Sequence, residues 1–249
     1  MEDFGNRLIA FFAENFPSAR ALLLGGPPAL AWAYLALALA GYLKQCRGLK
    51  TGYTRKIFHF LIFGTVAAAH AVWGSRGVCL FGAMTTLVVF YAVLRGPGHP
   101  MYEAMAREKD APHRTYYIVT PYFATLIGGV LSNVLFGRYA LIGYLVGGLG
   151  DAIGEPAGTR FGRHPYRVPS AWGVSSTRTL EGSLGVLLAC LAAVALGQLV
   201  LGGSEPSPRL AVLLLTVAVA STLLEAVSPH GWDNAFMQVV PTFLASLWL

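Results

Sequence analysis

The chain has 249 residues, of which 55% are hydrophobic and only 12% charged, and its mean hydropathy is +0.57. Soluble domains carry about 25% charged residues, so this composition excludes an ordinary soluble domain. The apolar residues occur in runs separated by short polar segments, which indicates a multi-span α-helical membrane protein and not the alternating pattern of a barrel. Beyond the net charge of +6, nothing in the sequence supports nucleic-acid binding.

The segment 1–20 has acidic residues near its start and an amphipathic pattern. A secretory signal would have a basic start, an apolar middle and a small-residue cleavage site, so we predict a short interfacial helix here. The three cysteines, Cys46, Cys79 and Cys190, are isolated in sequence and form no CxxC pair. They therefore indicate neither a metal site nor a redox compartment.

Apolar runs follow along the rest of the chain, each close to the about 20 residues that a helix needs to cross a bilayer. The predicted spans are 21–43, 57–73, 77–94, 116–136, 139–157, 184–201, 210–227 and 235–249. The fifth run has only twelve residues before Asp151 and the eighth is short, so the predicted number is seven or eight. No internal repeat or long linker divides the chain, and we predict one all-α, polytopic membrane domain over 1–249.

Lys and Arg are concentrated in alternate connections. The segments 44–56, 95–115 and 158–183 contain 13 of the 18 Lys and Arg residues, and the other connections contain 5. By the positive-inside rule, the three basic segments are cytoplasmic and the N-terminus is outside. The connection 228–234 falls on the same inner side and contains Asp233 and Asn234 in place of basic residues.

Acidic residues in or beside these inner connections are functional candidates. Ionisable side chains at membrane-adjacent depth are costly and are functional by default. Snorkelling at helix ends explains long Lys and Arg side chains better than short Asp. The candidates are Asp151, Glu155, Glu181, Glu225 and Asp233.

The first polar cluster is "TRKIFHF", residues 54–60. Spacings of three and four place Arg55, Lys56 and His59 on one helix face at the start of the second span. Such a group suits a polyanion such as phosphate. For Arg55 and Lys56 alone, a positive anchor at the cytoplasmic surface is the simpler interpretation. With His59 included, the anchor and a phosphate-binding site are about equally supported.

The second polar cluster is "MAREKDAPHR", residues 105–114. It mixes cations and acids without a helical or strand period. Its simplest interpretation is a solvated loop.

The third cluster starts at "GDAIGEPAGTRFGR", residues 150–163. Asp151 and Glu155 are four apart and share a helix face, although Pro156 limits how far that helix runs. Two carboxylates of this kind suit Mg²⁺, which leaves its other positions to water and nucleotide phosphates. Glycine recurs every fourth residue, which fits either close helix packing or backbone exposed to a phosphate. The repeating glycines are Gly150, Gly154, Gly158 and Gly162.

The same cluster continues to "TRTLEGS", residues 177–183. Thr177 or Thr179 can cap the sixth span, whose N-terminus then presents free N–H groups to an anion. A purely structural alternative explains the same residues by a capping box, by pairing of Arg178 with Glu181 and by a helix kink at the glycine. Four arginines supply a positive surround for phosphate: Arg160, Arg163, Arg167 and Arg178.

The fourth cluster is "LLEAVSPHGWDNAFMQVVP", residues 223–241. Asp233 can orient a substrate hydroxyl or take its proton, and Asn234 can ligate a metal or a base. A helix N-cap is the structural alternative for Asp233. That alternative does not explain Glu225, which lies inside the end of an apolar span.

Several common motifs do not occur in the sequence. There is no GxxxxGK[ST], no GxGxxG, no HExxH and no zinc spacing, and there is no GxSxG. P-loop, Rossmann, zinc-hydrolase and serine-hydrolase chemistry therefore have no support.

The four clusters together resemble the polyprenol kinase family. The matching elements are "RKIFH", "AREKD", "GDAIGEPAGTRFGRH" with "RTLEGS", and a Glu followed by Asp-Asn and Pro, in order over about 55–241. This family includes dolichol kinases, phytol kinases and CTP-dependent diacylglycerol kinases, and it is distantly related to phosphatidate cytidylyltransferases. The resemblance implies transfer of a phosphoryl group, usually from CTP, to the hydroxyl of a membrane lipid alcohol.

The resemblance also assigns residues. It places Arg55, Lys56 and His59 in the basic-histidine motif, Asp151 at the GD aspartate, and Asp233 and Asn234 at the DN pair. The loop resembling "KSLEGS" contains Arg178, Leu180, Glu181, Gly182 and Ser183, with Arg-Thr where Lys-Ser is common.

We expect catalysis by Asp151, Asp233, His59 and Lys56 at the cytoplasmic face, with Mg²⁺ on Asp151 and Glu155. ATP remains possible as the donor. The expected nucleotide-binding residues are Arg55, Lys56, Gly150, Gly158, Arg163, Arg178, Glu181, Gly182, Ser183 and Asn234.

Other functions stay open at this stage. A cytidylyltransferase that forms CDP-lipid is the nearest alternative, although its long C-terminal signature rich in Lys and Asp does not occur in the sequence. A transporter predicts internal repeats and acids near the bilayer midplane. A membrane scaffold predicts no stabilisation by nucleotide. We expect membrane lipids, a nucleoside triphosphate and a lipid alcohol as partners, and no nucleic acid.

Overall fold

The structure, a computed structural model, describes residues 2–172, 174, 176–202 and 207–248. Apart from one short hairpin, these residues form an all-α protein, as predicted. The elements in chain order are α1 (Glu2–Asn15), α2 (Ala19–Arg47), α3 (Thr51–Arg95), α4 (Pro100–Glu103), α5 (Tyr116–Phe136), α6 (Ala140–Phe161), β1 (Pro165–Val168), β2 (Ser176–Thr179), α7 (Leu180–Val200), α8 (Pro208–Val227) and α9 (Asp233–Trp248).

Long apolar helices account for most of the chain. Within the described residues, five helical segments are long and apolar enough to cross a membrane: Ala19–Arg47, Thr51–Arg95, Tyr116–Phe161, Leu180–Val200 and Pro208–Val227. Breaks divide two of these segments, so each of the first seven predicted spans lies on one helical stretch, although the observed helices begin or end up to six residues away from the predicted bounds. The predicted N-terminal helix is present as α1.

The first break lies in α3, at Gly74. Its φ of +63° and ψ of −154° are accessible to glycine without the steric cost that a side chain would bring. Thr85 and Val89 line the same cavity as Phe58 and Ile62, so the two halves of α3 pack against each other in opposite directions. The second break is the 3₁₀ turn Gly137–Tyr139 between α5 and α6.

The alternating helix directions gather the polar connections at one end of the bundle. We call it the polar end, and its connections are 48–50, 96–115, 162–179 and 228–232. Ion pairs join side chains beside these connections, such as Arg55 with Glu155 and Arg178 with Asp233. The segments that the sequence predicts to be cytoplasmic therefore lie together, and we call the opposite end the far end.

The segment 158–183 was predicted as a loop and contains more structure than that. It includes the last turn of α6, an antiparallel hairpin that pairs Pro165 with Thr179 and Val168 with Ser176, and the start of α7. Of the two predicted caps, Thr179 is the one used, since its side chain accepts a hydrogen bond from the Gly182 N–H at 3.1 Å. The strand β2 thereby holds Arg178 directly in front of α7.

Helix α6 forms the centre of the bundle and packs against α3, α7 and α9. Every residue from Ala140 to Ala152 except Leu149 is buried. At Gly143, a Cβ would collide with Thr242 and the carbonyl of Gln238, so glycine allows α9 to approach α6 closely. The helix continues past Pro156 to Phe161, further than the sequence predicted, and this holds Asp151 at the polar end of the core.

Candidate active site

A charged cavity opens at the polar end, and we call it the polar pocket. Its lining comes from α3, α6, the hairpin, α7, α8, α9 and the connections 96–115 and 228–232. Among the described residues that line it, five are cationic and four acidic: Arg55, Lys56, Arg107, Lys109, Arg178, Asp151, Glu155, Glu225 and Asp233. Clusters separated by more than a hundred residues in sequence thus surround one cavity.

Three carboxylates form the acid cluster of the polar pocket: Asp151, Glu225 and Asp233. One oxygen from each lies within 4.8 Å of the others. They come from the middle of α6, the end of α8 and the start of α9. Asp151 and Glu225 are buried and Asp233 is half-buried. Carboxylate oxygens are the ligands that Mg²⁺ prefers, so this cluster fits a hard divalent cation.

Cations neutralise the acid cluster from two sides. Lys56 Nζ lies 2.6 Å from Asp151 Oδ2, and the His59 Nε2 lies 3.4 Å from the same oxygen. Arg178 bridges the other two acids, with its Nε 2.8 Å from Glu225 Oε1 and its Nη2 2.8 Å from Asp233 Oδ2. The buried acids are therefore paired, as charges inside a protein have to be.

Glu155, predicted to hold a metal together with Asp151, lines the same pocket but is not part of the acid cluster. Its carboxylate lies 2.8 Å from Arg55 Nη2 and 3.3 Å from Arg107 Nη1. The two acids share a helix face, as predicted, but the elements facing them differ. Glu155 positions two arginines on the rim of the pocket, and Glu225 takes its place in the acid cluster.

The segment 105–114 was predicted to be a solvated loop, but the structure buries part of it. Arg107 and Asp110 are only 6% and 2% exposed. Arg107 Nε donates to Asp110 Oδ2 at 2.9 Å, and another of its N–H groups donates to His230. The ring of His230 also packs against Tyr117. These contacts tie the segment to 228–232 and place Arg107 in the polar pocket.

His230 makes the stability of this network depend on pH. Burial lowers the pKa of its imidazole below the ordinary value of 6.5, although the Asp110 carboxylate opposes the shift. The unfolded chain therefore takes up the proton first, so stability is lost as the pH falls below about 6.5. The pKa of Asp110 is also lowered, against the effect of burial, by the neighbouring His230 and Arg107 side chains, and its contribution is lost only at more acidic pH.

We expect the unfolding temperature of the detergent-solubilised protein to fall between about pH 6.5 and pH 5. The His230→Gln variant should show a smaller decline over this range. His164 is 70% exposed on the hairpin side, so His164→Gln is the matched control and should keep the wild-type decline. Equal declines in wild type and His230→Gln would contradict the role of His230.

The glycine stripe of α6 serves mainly in packing. A Cβ at Gly150 would lie 2.7 Å from Cys190 Sγ and 2.9 Å from Met237 Cε, so Gly150 contacts α7 and α9. Gly150 is not among the described residues of the polar pocket, which corrects its predicted role in nucleotide binding. Gly158 packs on Thr179 and also lines the pocket, together with Gly182.

The remaining predicted residues of the third cluster divide into two groups. Ser183 lines the polar pocket, and its hydroxyl lies 2.7 Å from that of Tyr166. Glu181 instead accepts from the backbone N–H of Arg163 at 3.0 Å and lies 2.7 Å from His164 Nδ1. Glu181 and Arg163 thus brace the hairpin against α7 outside the described pocket lining, which corrects their predicted contact with nucleotide.

A second cavity lies directly against the polar pocket, and we call it the apolar cavity. Its lining includes Phe58, Ile62 and Val89 from the two halves of α3. His59 lies in this cavity, with Nε2 3.0 Å from the Gly147 carbonyl oxygen and its ring stacked on Phe63.

Asn234 also lines the apolar cavity. It donates to Thr125 Oγ1 at 2.9 Å and to the Pro121 carbonyl at 3.2 Å. Asn234 therefore fixes α9 to α5 beside the site, and both of its N–H contacts are to the protein.

Buried donors point to an anion in the polar pocket. Arg55 Nε and Arg178 Nη1 are buried and have no hydrogen-bond partner within the described part of the chain. Buried guanidinium N–H groups require acceptors, and phosphate oxygens are among the strongest. Both side chains line the pocket.

No family model, curated protein or solved structure matches this chain. The chemistry of the site must therefore be inferred from its geometry. A pocket with paired acids and cations can hold a metal ion with a phosphorylated ligand, and the adjoining apolar cavity can hold an aliphatic group.

Proposed function

We propose that this protein is a membrane kinase that transfers the γ-phosphoryl group of a nucleoside triphosphate to the hydroxyl of a membrane lipid alcohol. CTP is the donor that the family resemblance implies. The proposal depends on one observation: the polar pocket and the apolar cavity adjoin. We call the place where they meet the junction. Arg55, Lys56, Asp151 and Asp233 line both the polar pocket and the apolar cavity, where a polar donor meets a lipid hydroxyl.

The polar pocket is suited to a nucleoside triphosphate. Its cations surround the acids from α3, from the connection 96–115 and from the hairpin. Phosphoryl transfer depends on positioning and on neutralising charge spread over phosphate oxygens. Lys56, Arg55 and Arg178 supply that charge at the junction and next to it.

The acid cluster is suited to Mg²⁺. Asp151, Glu225 and Asp233 offer three hard oxygen ligands within reach of one ion. When bound, Mg²⁺ supplies neutralisation of the phosphate oxygens and favours one orientation of the triphosphate. The resident cations are then available to bind the phosphates.

In the transfer, the bond between the γ-phosphorus and the β–γ bridging oxygen breaks, and a bond from the lipid oxygen to that phosphorus forms. The hydroxyl proton passes to a carboxylate. Asp233 is the best-placed acceptor because it lies at the junction and, unlike Asp151, is only half-buried. His59 Nε2 already contacts Gly147 and Asp151, so His59 orients Asp151. The nucleoside diphosphate leaves through the polar pocket.

We further propose that the polar end faces the cytoplasm and that the chain crosses the membrane at least seven times. The crossings are α2, both halves of α3, α5, α6, α7 and α8. The positive-inside rule supports this sidedness. Helix α9 has 16 residues, about 24 Å, which is less than the about 30 Å of a bilayer core. It completes the site from the polar end.

The test uses purified protein in detergent with Mg²⁺, lipid alcohols, and CTP or ATP labelled at either the α- or the γ-phosphate. We expect label from the γ-phosphate, and not from the α-phosphate, to appear in a lipid phosphate separated by chromatography. Chelation of Mg²⁺ should abolish the product.

Label from the α-phosphate with a phosphatidate acceptor would establish a cytidylyltransferase instead. Absence of labelled lipid from a well-folded preparation with every alcohol and both nucleotides would reject the proposal and leave the transporter and scaffold alternatives. A change in unfolding temperature on addition of Mg²⁺ and nucleotide argues against the scaffold, because a scaffold is not expected to be stabilised by nucleotide.

A further inference from the structure

The apolar cavity continues into a longer passage toward the far end. We call this continuation the tail chamber. It shares Ile62, Phe63, Thr85, Tyr122 and Thr125 with the apolar cavity. The junction, the apolar cavity and the tail chamber thus lie one after another along a path between α3 and α5.

The path is long compared with one membrane leaflet. Along α5, Tyr117 lines the apolar cavity and Asn133 lines the tail chamber. Sixteen residues of helix separate them, which is about 24 Å. Half of a bilayer core is about 15 Å. A chain extended along this path therefore passes from the polar end beyond the midplane.

Helix α1 forms the end of the tail chamber. Phe11, Phe12 and Phe16 line it at the far end. Arg7 donates to the Val134 carbonyl on α5 at 3.0 Å, and Arg76 on α3 donates to the Glu14 carbonyl at 3.1 Å. The helix is thus fastened on both sides of the passage, and its aromatic side chains limit the length of any occupant.

The lining of the tail chamber suits an aliphatic chain. Thr85 and Thr125 donate to carbonyls of their own helices at 2.9 Å, so these hydroxyls are already satisfied. The hydroxyls of Tyr122 and Thr86 lie 2.6 Å apart and join α5 to the second half of α3.

We infer that the tail chamber holds the single aliphatic tail of the lipid alcohol and that α1 sets the upper limit of its length. This inference rests on the proposed function, which places the hydroxyl at the junction. It selects a single-chain alcohol of intermediate length, such as a short polyprenol or phytol, over the two-chain diacylglycerol.

The inference can be tested with a substitution that fills part of the tail chamber and leaves the residues of the junction unchanged. Gly82 lines the tail chamber, and a Cβ there meets open space, so Gly82→Phe starts its side chain without a collision and reduces the volume of the chamber. Gly64 also meets open space but lines a different cavity on the other face of α3. Gly64→Phe is therefore the matched control.

We expect Gly82→Phe to lower kcat/KM for geranylgeraniol and phytol by at least about tenfold relative to geraniol. Gly64→Phe should keep the wild-type profile. Phe12→Ala combined with Phe16→Ala should shift the profile toward longer prenols such as undecaprenol. An unchanged profile in Gly82→Phe, or equal turnover of diacylglycerol and geranylgeraniol by the wild type, would overturn the inference.

A binding measurement separates this inference from the proposed function. Geranylgeraniol with a photoreactive group at its tail end should crosslink to α1 in the full-length protein, as located by mass spectrometry. This result is expected even if no alcohol is phosphorylated. Crosslinks confined to other helices, or no crosslink, would overturn the inference even if phosphorylation occurs.

Discussion

We expect the Asp151→Asn variant to lose phosphorylation of lipid alcohols by at least about 10³-fold, a change of about 4 kcal/mol in the activation barrier. Asp151 lines both cavities and belongs to the acid cluster. A neutral amide removes one of the three anionic groups that we propose as ligands of Mg²⁺. The stimulation by Mg²⁺ should weaken, and the thermal shift caused by Mg²⁺ with nucleotide should shrink.

The variant should still fold and insert, because the new amide oxygen can accept a hydrogen bond from Lys56. The unfolding temperature in detergent checks this directly. Glu103→Gln is the matched control, since Glu103 pairs with Arg114 at 2.5 Å at the same end of the bundle but belongs to neither cavity. Wild-type turnover in Asp151→Asn, or a similar loss in Glu103→Gln, would refute the metal role of Asp151.

The helices were predictable because their signal is local. Runs of about 20 apolar residues bounded by charge define spans independently of their neighbours, and each of the first seven predicted spans falls on an observed helix, with bounds that differ by up to six residues. The alternation of basic connections also predicted which segments lie together at the polar end. Pro156 misled the prediction for α6, since packing against α3, α7 and α9 stabilises the helix beyond it.

The partners of charged side chains were not predictable, because they depend on tertiary contacts. Asp151 and Glu155 share one helix face, yet one faces α8 and α9 and the other faces Arg55 and Arg107. Glu225 was noticed as an acid inside a span, and that unusual position was the available signal. The role of Arg107 and His230 had no local signal, because a polar connection can be buried only by the elements around it.

The glycine stripe illustrates an ambiguity that periodicity cannot resolve. Glycine every fourth residue fits close packing and phosphate binding, and periodicity alone favours packing. The side chains of Cys190, Met237 and Val186 fill the space beside Gly150 and Gly154, so packing accounts for that part of the stripe. Gly154 also lines the polar pocket, as does Gly158 one turn further.

The second large effect is expected at Arg178. Its guanidinium group contacts Glu225 and Asp233 at 2.8 Å each, and the three side chains are at most 14% exposed. Arg178→Gln leaves two neighbouring carboxylates without their cation. We expect a loss of about 3 kcal/mol in stability, typical of a broken buried pair, and a loss of at least about 10²-fold in turnover.

The Arg178→Lys variant shows whether turnover depends on the positive charge at this position or on the two N–H contacts of the guanidinium group. Lysine retains the positive charge, and Lys is common at this place in the family that the chain resembles. One ammonium group cannot reproduce the two separate N–H contacts of the guanidinium, so we expect a loss of only about tenfold in turnover and a smaller loss of stability. Measurements of kcat, of KM for the nucleotide and of the unfolding temperature distinguish the variants.

Arg114→Gln, which breaks a pair outside both cavities, should leave KM for the nucleotide unchanged. If Lys and Gln at position 178 reduce turnover equally, bidentate geometry and not charge is what the acid cluster requires.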